Sequence, residues 1–546
     1  MLCLREIFLI FLRHTKCRLE KRGIAVFWQK KKKPQAQENK SEQEKQKRKV
    51  NQPEEFTLCL EANIKALQDI LHNCSDVVFR CLTVARRQAY LVYAQGMINT
   101  DLLSKGILQI CFEDFTQEAR DLLEELKYRG LAIGRITQSN KVDSCIKDLL
   151  AGKALLLLEG YRDVLVLDIP GGEKRSIDTP QAEPSVRGPM DSFVEALEVN
   201  ISLLRRRLAT PDFKVVSLVL GKRSHTNVRV CYMESIAHPK LLEEVLRRLH
   251  LINIDALLES SYIEELIDDE PYSPFPTIQT TERPDKAVAS LLEGRIVIIQ
   301  ENTSFVLIMP AFFQQFFQAA DDYYNRYFFA TFIRILRIAA VLISVYAPAL
   351  YVAFTTFHQE MLPTSLLISL QTQREGVPFP AVLEAILMGI AFEILREGGL
   401  RLPRPIGQAV SIVGALIIGE AAVRASLVSA AMVIVTALTA ITFFTVPTLI
   451  IGEAFLIIRI ILVMAAGVLG LWGILIITLL FLAHLTSLRS FGIPYLSPAG
   501  SLINLNLDEF LVRAPLWAMR KRPKLLGQRN PTRQGRRPSP QNTGKK

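Results

Sequence analysis

At 546 residues the chain exceeds what one hydrophobic core accommodates, so at least two folding units are expected. Its hydrophobic fraction of 49% is ordinary but uneven, with apolar blocks from about Phe328 to Leu488 flanked by a mixed soluble-type half and a polar basic end. The net charge of +11 is matched by eleven Lys and Arg within residues 513–546, which hold no Asp or Glu; the rest is close to neutral, and without a binding module nucleic acid is not an expected partner.

Residues 1–53 read as a basic, disordered arm. Ile7–Leu12 is a short apolar run after Arg5, but Arg13, Lys16 and Arg18 follow it without a small-residue cleavage site, so export is not expected. Lys30–Lys49 is too polar to fold alone. All eight cysteines (Cys3, Cys17, Cys59, Cys74, Cys81, Cys111, Cys145 and Cys231) fall in the first 231 residues, with no CxxC or Cys/His zinc spacing. Their scatter predicts buried reduced thiols in a cytosolic half, and no metal site.

Residues 54–170 and 191–325 read as two α/β lobes related by internal duplication. Leu60-Glu61-Ala62-Asn63-Ile64 recurs as Leu197-Glu198-Val199-Asn200-Ile201. Asp76–Tyr93 is echoed by Val215–Tyr232, and Asp101-Leu102-Leu103 by Lys240-Leu241-Leu242. Asp143…Gly152-Lys153 and Leu155–Pro170 match Asp285…Gly294-Arg295 and Val297–Pro310, so every offset lies between 137 and 142 residues. Each unit reads as helix, hairpin, helix, a helix ending on Gly, then a second hairpin. Residues 171–190, rich in Gly, Pro and Ser, form the linker, and a cleft between the lobes is a candidate ligand site.

Residues 326–488 read as an α-helical polytopic membrane domain with apolar blocks at 338–357, 379–395, 406–422, 427–451 and 454–485. Arg334 and Arg337 precede the first block, Pro348 predicts a kink within it, and Arg396, Arg401 and Arg404 follow the second. Five spans would place the basic tail, 489–546, opposite the lobes, against the charge rule. Either 406–422 is re-entrant, giving four spans, or 454–485 is two spans, giving six. Four is preferred, with the last block beginning as a flat turn at the interface.

Charges within such blocks are costly and often functional. Glu384, Arg459, Glu393 and Glu453 are the candidates for a pore or relay. Glu384 and Arg459 are the strongest, having no opposite charge at i,i+3 or i,i+4. Glu420 and Arg424, four apart, suit a structural ion pair, and Glu393 can reach Arg396. Gly467, Gly470 and Gly473 offer a small-residue surface for close helix packing. No P-loop, HExxH, GxSxG or dinucleotide fingerprint is present, so neither catalytic residues nor a cofactor is expected and the chain does not read as an enzyme.

Several strings resemble the A-subunit family of GerA-type spore germination receptors. They include Ser273-Pro274-Phe275-Pro276-Thr277, Thr281-Glu282-Arg283-Pro284-Asp285, Gln373-Arg374-Glu375-Gly376-Val377-Pro378-Phe379-Pro380, Leu402-Pro403-Arg404-Pro405-Ile406-Gly407-Gln408 and Gly492-Ile493-Pro494-Tyr495-Leu496-Ser497-Pro498. The resemblance runs from about Glu54 to Pro523, departing at Glu198-Val199, where members commonly carry Arg-Thr. It implies a multi-pass protein of the spore inner membrane, with the N-terminal domain and tail cytosolic. The implied partners are a transporter-like B subunit, a lipoprotein C subunit, further A subunits and membrane lipid. The implied role is signal transduction in germination as an oligomeric ligand-gated ion channel. The alternatives are a non-conducting scaffold or a transporter, though a transporter's repeat is expected in its membrane half.

Overall fold

The computed structural model of the protein describes residues 53–84, 87–105, 123, 135–169, 171, 179–401, 414, 417, 419–497, 512–523, 525, 526 and 529–535. The arm up to residue 52 and most of the 406–422 block lie outside the described residues.

The first lobe contains α1 (Leu60–Ile70), β1 (Val77–Val84), β2 (Arg87–Ala94), β3 (Arg135–Ser139), α2 (Val142–Leu150), β4 (Ala154–Leu158) and β5 (Val164–Asp168). The second contains α3 (Leu197–Arg207), β6 (Phe213–Leu220), β7 (Thr226–Met233), α4 (Pro239–Leu251) and α5 (Ser260–Ile267). It continues with β8 (Gln279–Thr281), α6 (Pro284–Glu293), β9 (Ile296–Gln300) and β10 (Val306–Met309). The sheets run β1-β2-β4-β5-β3 and β6-β7-β9-β10-β8, the same order, with every pairing antiparallel. The edge strands β3 and β8 are absent from the sequence reading. Arg135–Ser139 is only half-buried and β8 has three residues, so neither shows an apolar period.

Short-range chemistry explains why the repeat survives. Asn63 closes a ring onto Thr57, donating from Nδ2 to its carbonyl at 2.7 Å and accepting its N–H at Oδ1 at 2.8 Å. Asn200 closes the same ring onto Val194, at 2.5 and 2.8 Å. The glycines that follow α2 and end α6, Gly152 (φ 96°) and Gly294 (φ 95°), are both left-handed, where a Cβ is disfavoured. Strand β9 packs Ile296 and Ile298 under α4 and α5, and Val297 and Ile299 under α3 and α6. The second sheet is therefore covered on both faces, and its central strand is apolar on both.

Among the described residues the lobes are joined directly. Val215 of β6 exchanges backbone hydrogen bonds with Asn73 and Ser75. Asp76 and Arg205 form a buried bidentate pair, with Nε and Nη2 each 2.9 Å from a carboxylate oxygen. Arg205 Nη1 also donates to the Thr210 and Phe213 carbonyls at 3.1 Å. Of the cysteines described, Cys74, Cys145 and Cys231 are buried, whereas Cys59 and Cys81 are exposed, against the expectation of uniformly buried thiols.

The helical half comprises α7 (Tyr327–Thr356), α8 (Thr364–Arg374), α9 (Ala381–Arg401), α10 (Ala430–Phe443) and α11 (Leu449–Ser487). Among the described residues, Tyr327–Thr356 and Ile450–Ser487 are long and apolar enough to cross a membrane. Helix α7 runs unbroken through Pro348. Arg334 and Arg337 lie inside it, buried against Asp322 at 3.2 and 3.1 Å, and so are not free headgroup-facing charges.

Helix α11 is not a single rod. Gly470 adopts φ 61°, ψ −138°, and the chain reverses there. Phe455 and Phe481 both lie against Phe275, with centroids 6.1 and 5.4 Å away, whereas 26 residues of straight helix would separate them by about 39 Å. Limbs 449–469 and 471–487 are about 31 and about 26 Å long. This corrects the expectation of one span with a flat first turn. The fold-back tip meets Phe357 and His358 at the far end of α7, and Thr478 donates to Tyr346 at 3.3 Å on the return.

Candidate functional site

The described contacts converge where the second lobe meets the open end of the α11 hairpin. The loop between α5 and β8 reads Ser273-Pro274-Phe275-Pro276-Thr277, and the two prolines restrict the backbone on either side of Phe275. Phe275 is buried among Phe313, Phe455, Phe481 and His484, whose centroids lie 5.4 to 6.4 Å from one another where they are paired. It thereby touches both limbs of the hairpin. Ser273 Oγ lies 2.9 Å from His484 Nε2, and Thr448, just before α11, donates to the Phe316 carbonyl at 3.1 Å. Tyr495, after the hairpin, is buried against Phe313 and Phe316.

Beside this wedge lies a cavity of about 330 Å³ lined by Glu183, Glu259, Glu264, Phe305, Thr448 and Ile450. It lies between the second lobe and the α10–α11 loop, not between the two lobes. Its carboxylates differ by environment. Burial pushes Glu259 up, but donors from Ser261 N, Ser260 and Thr303 outweigh it and hold the group at about 2. Glu264 has no such donors among the described residues; burial, then Asp268 and Glu259, raise it to about 7. Glu183 pairs with Lys286 at 2.5 Å.

The linker is clamped to the same lobe. Glu282 accepts from Ala182 N and Glu183 N at 2.5 and 2.8 Å. Arg283 is buried, forks onto Asp285 at 3.0 and 2.8 Å, and donates to the Glu183 and Pro189 carbonyls. Tyr324, just before α7, donates to Asp285. The Glu282-Arg283-Pro284-Asp285 string thus fastens the linker and the base of α7 to one lobe. Sequence reasoning found the string but not this role.

The charges predicted for the helical half pair across helices. Glu384 is fully buried; it accepts Arg374 Nε at 3.3 Å and Ser429 N and Oγ at 3.0 Å, and Ser429 also contacts Tyr351 at 3.1 Å. Arg459 donates to Glu393 at 3.0 Å, and Glu393 also meets Arg396 at 2.8 Å. The expectation that Glu384 and Arg459 stand unpartnered therefore does not hold. Their partners lie ten residues away or on another helix, out of reach of an i,i+4 search. Glu453 is exposed on α11, and Glu420–Arg424 is present at 2.5 Å between exposed side chains. No cluster of metal ligands occurs among the described residues.

The family described as Bacillus/Clostridium GerA spore germination protein matches residues 65–525. The chain is 42% identical over 486 residues to spore germination protein KA of Bacillus subtilis strain 168, covering 88% of this chain and 89% of that one. It is 36% identical over 468 residues to spore germination protein B1 of the same organism, covering 85% and 96%. It is 35% identical over 479 residues to GerLA of Bacillus cereus, covering 87% and 97%. Among solved structures, the N-terminal domain of the A subunit of the Bacillus megaterium spore germinant receptor GerK3 is 30% identical, with TM-score 0.37, covering 47% of this chain and 97% of that one.

Proposed function

The chain belongs to the Bacillus/Clostridium GerA spore germination protein family, and we propose that it is the membrane subunit of a germinant receptor that converts nutrient binding into ion movement. In this reading the lobes lie in the cytosol, and the helical half crosses the spore inner membrane several times. Oligomers of the subunit form the conducting path. A transporter-like subunit and a lipoprotein subunit complete the receptor.

The observation that carries the reading is Phe275, a lobe residue seated against both limbs of the α11 hairpin. A shift of the second lobe is then transmitted to two membrane helices at once, because packed cores switch between discrete arrangements rather than deforming smoothly. Topology supports the same reading. Helix α7 leads away from the lobes, the hairpin returns to them, and Phe491 N donates to Asp269 of the second lobe. The chain just after the hairpin therefore lies beside the second lobe, as an even number of crossings requires, and a positive tail belongs on the cytosolic side.

The Glu393–Arg459–Arg396 group supplies the charge such a path needs. A net positive triad in an apolar bundle is stable only where protein or water solvates it. A non-conducting scaffold is the second reading, favoured by the fully partnered state of Glu384. Ion flux from the purified chain in liposomes separates the two. Flux that disappears in Arg459→Gln supports conduction. Absence of flux, with nutrient-triggered ion release in spores still dependent on the chain, would leave only the scaffold.

A further inference from the structure

The basic tail is not a free arm over its described length. Arg513 N donates to Thr331 Oγ1 on the second turn of α7 at 3.1 Å, and its Nη2 donates to the Tyr323 carbonyl at 3.1 Å. Its guanidinium stacks 5.6 Å over the Tyr323 ring. Farther on, Arg522 Nε donates to the Leu292 carbonyl at 2.7 Å, and Leu526 is buried in the second lobe's core. Between these two anchors Ala518 N bonds back to the Pro515 carbonyl at 2.8 Å, closing a turn. The tip of that turn carries Leu516 and Trp517, at 56% and 57% exposure. Turn tips ordinarily carry Gly, Asn, Asp or Ser, so a Leu-Trp tip held by two anchors is apolar surface presented outward.

The helix that anchors this turn and the residues that follow the tip indicate what covers it. The first turns of α7 expose Phe328, Phe329 and Phe332, at 73%, 57% and 62%. Arg520 and Lys521 follow after Ala518 and Met519 and are exposed. A Leu-Trp turn that follows an anchor on a spanning helix, itself aromatic and exposed over its first turns, and that is followed by cations, matches the chemistry of a bilayer's headgroup boundary.

We propose that the Leu516–Trp517 turn seats in the headgroup boundary of an anionic bilayer, with Arg520 and Lys521 on lipid phosphates, so that the tail straps the second lobe to the membrane surface. This rests on α7 spanning the membrane. The strap fixes the height of the second lobe above the bilayer, and with it the height of Phe275 over the hairpin.

The chain contains three tryptophans, Trp28, Trp472 and Trp517, so each can be read alone. The full chain is reconstituted in vesicles of zwitterionic lipid, with or without phosphatidylglycerol, containing lipid brominated near the headgroup or near the chain end. In W28F/W472F the Trp517 emission is expected to be quenched more by headgroup-proximal bromine, and more in anionic vesicles. Adding R520Q/K521Q should abolish the difference between anionic and zwitterionic vesicles. The W28F/W517F protein reports Trp472, on the α11 hairpin, as the membrane control. Trp517 unquenched by lipid while Trp472 is quenched overturns the strap and leaves the spanning reading intact. If Trp517 is then also shielded from iodide, a protein surface covers it instead. Both tryptophans unquenched would overturn the spanning reading itself.

Discussion

The two lobes share one topology and differ in what is attached to them. Among the described residues, the first lobe meets the second through Asp76–Arg205 and the Val215 backbone pairing. The second lobe holds the linker through Glu282 and Arg283, the α7 base through Asp285, the hairpin through Phe275 and the tail through Leu292. Duplication has kept what short-range chemistry enforces, namely the Asn63 and Asn200 rings, the left-handed Gly152 and Gly294, and the strand order. Attachment depends instead on connecting segments, which diverge freely because no sheet register constrains them. In the proposed function the first lobe is a weld partner and the second the transmitting element.

The largest expected effect comes from breaking the weld. Asp76→Asn leaves Arg205 buried without its counter-charge and should cost about 3–5 kcal/mol, read as loss of thermal stability and abundance of the full chain. If stability were unchanged, the lobes would be independent units and the comparison would fail. The charge triad should respond unequally. Glu393→Gln strands both Arg459 and Arg396 and should cost several kcal/mol, whereas after Arg459→Gln the remaining Glu393 keeps Arg396, so the cost should be about 1–3 kcal/mol. Equal melting temperatures for the two variants would mean that the triad is solvated by water rather than by its own members.

A smaller effect is expected at the junction cavity. The Glu264 carboxyl holds its proton up to about pH 7 in the folded chain, well above its ordinary value of about 4.5. Between those values the folded state binds more protons than the unfolded, so stability must fall as pH rises through that window. The groups facing it include Glu259, Asp268 and Glu183, the last neutralised by Lys286. Glu264→Gln should flatten the decline and gain about 1 kcal/mol at pH 8 relative to the native chain. Parallel melting profiles from pH 5 to pH 8 for the two proteins (~2.5 kcal/mol being the upper bound for a fully buried group) would place Glu264 in open solvent. Glu420→Gln should do least, since both members of that pair are exposed; a marked fall in abundance on immunoblots would show that Arg424 depends on it.

Much of this architecture was legible in the sequence. The duplication and the apolar blocks follow from repeated strings and from composition. The edge strands β3 and β8 were not legible, because Arg135–Ser139 and Gln279–Thr281 are too polar or too short to show a period. Gly467, Gly470 and Gly473 read as a packing stripe. Gly467 does pack against α9, where a Cβ would collide with Val382, but Gly470 reverses the chain, which requires a backbone angle that spacing does not encode. Arg334 and Arg337 read as positive flanks because Asp322 sits twelve and fifteen residues earlier, beyond one helical turn. Phe275 was visible only as part of a recurring string. Its partners, Phe455 and Phe481, are brought together by the hairpin.

The most direct test of transmission through the second lobe is nutrient-triggered ion release from spores in which this chain carries Phe275→Ala or Phe275→Leu, normalised to its abundance on immunoblots. Loss of the ring removes packing worth about 3 kcal/mol between lobe and hairpin, enough to shift a two-state equilibrium by about 100-fold. Phe275→Ala should therefore cut release at least about tenfold, and Phe275→Leu, which keeps most of the volume, should retain most of it. Normal release from Phe275→Ala at normal abundance would contradict the account and leave the second lobe as a scaffold.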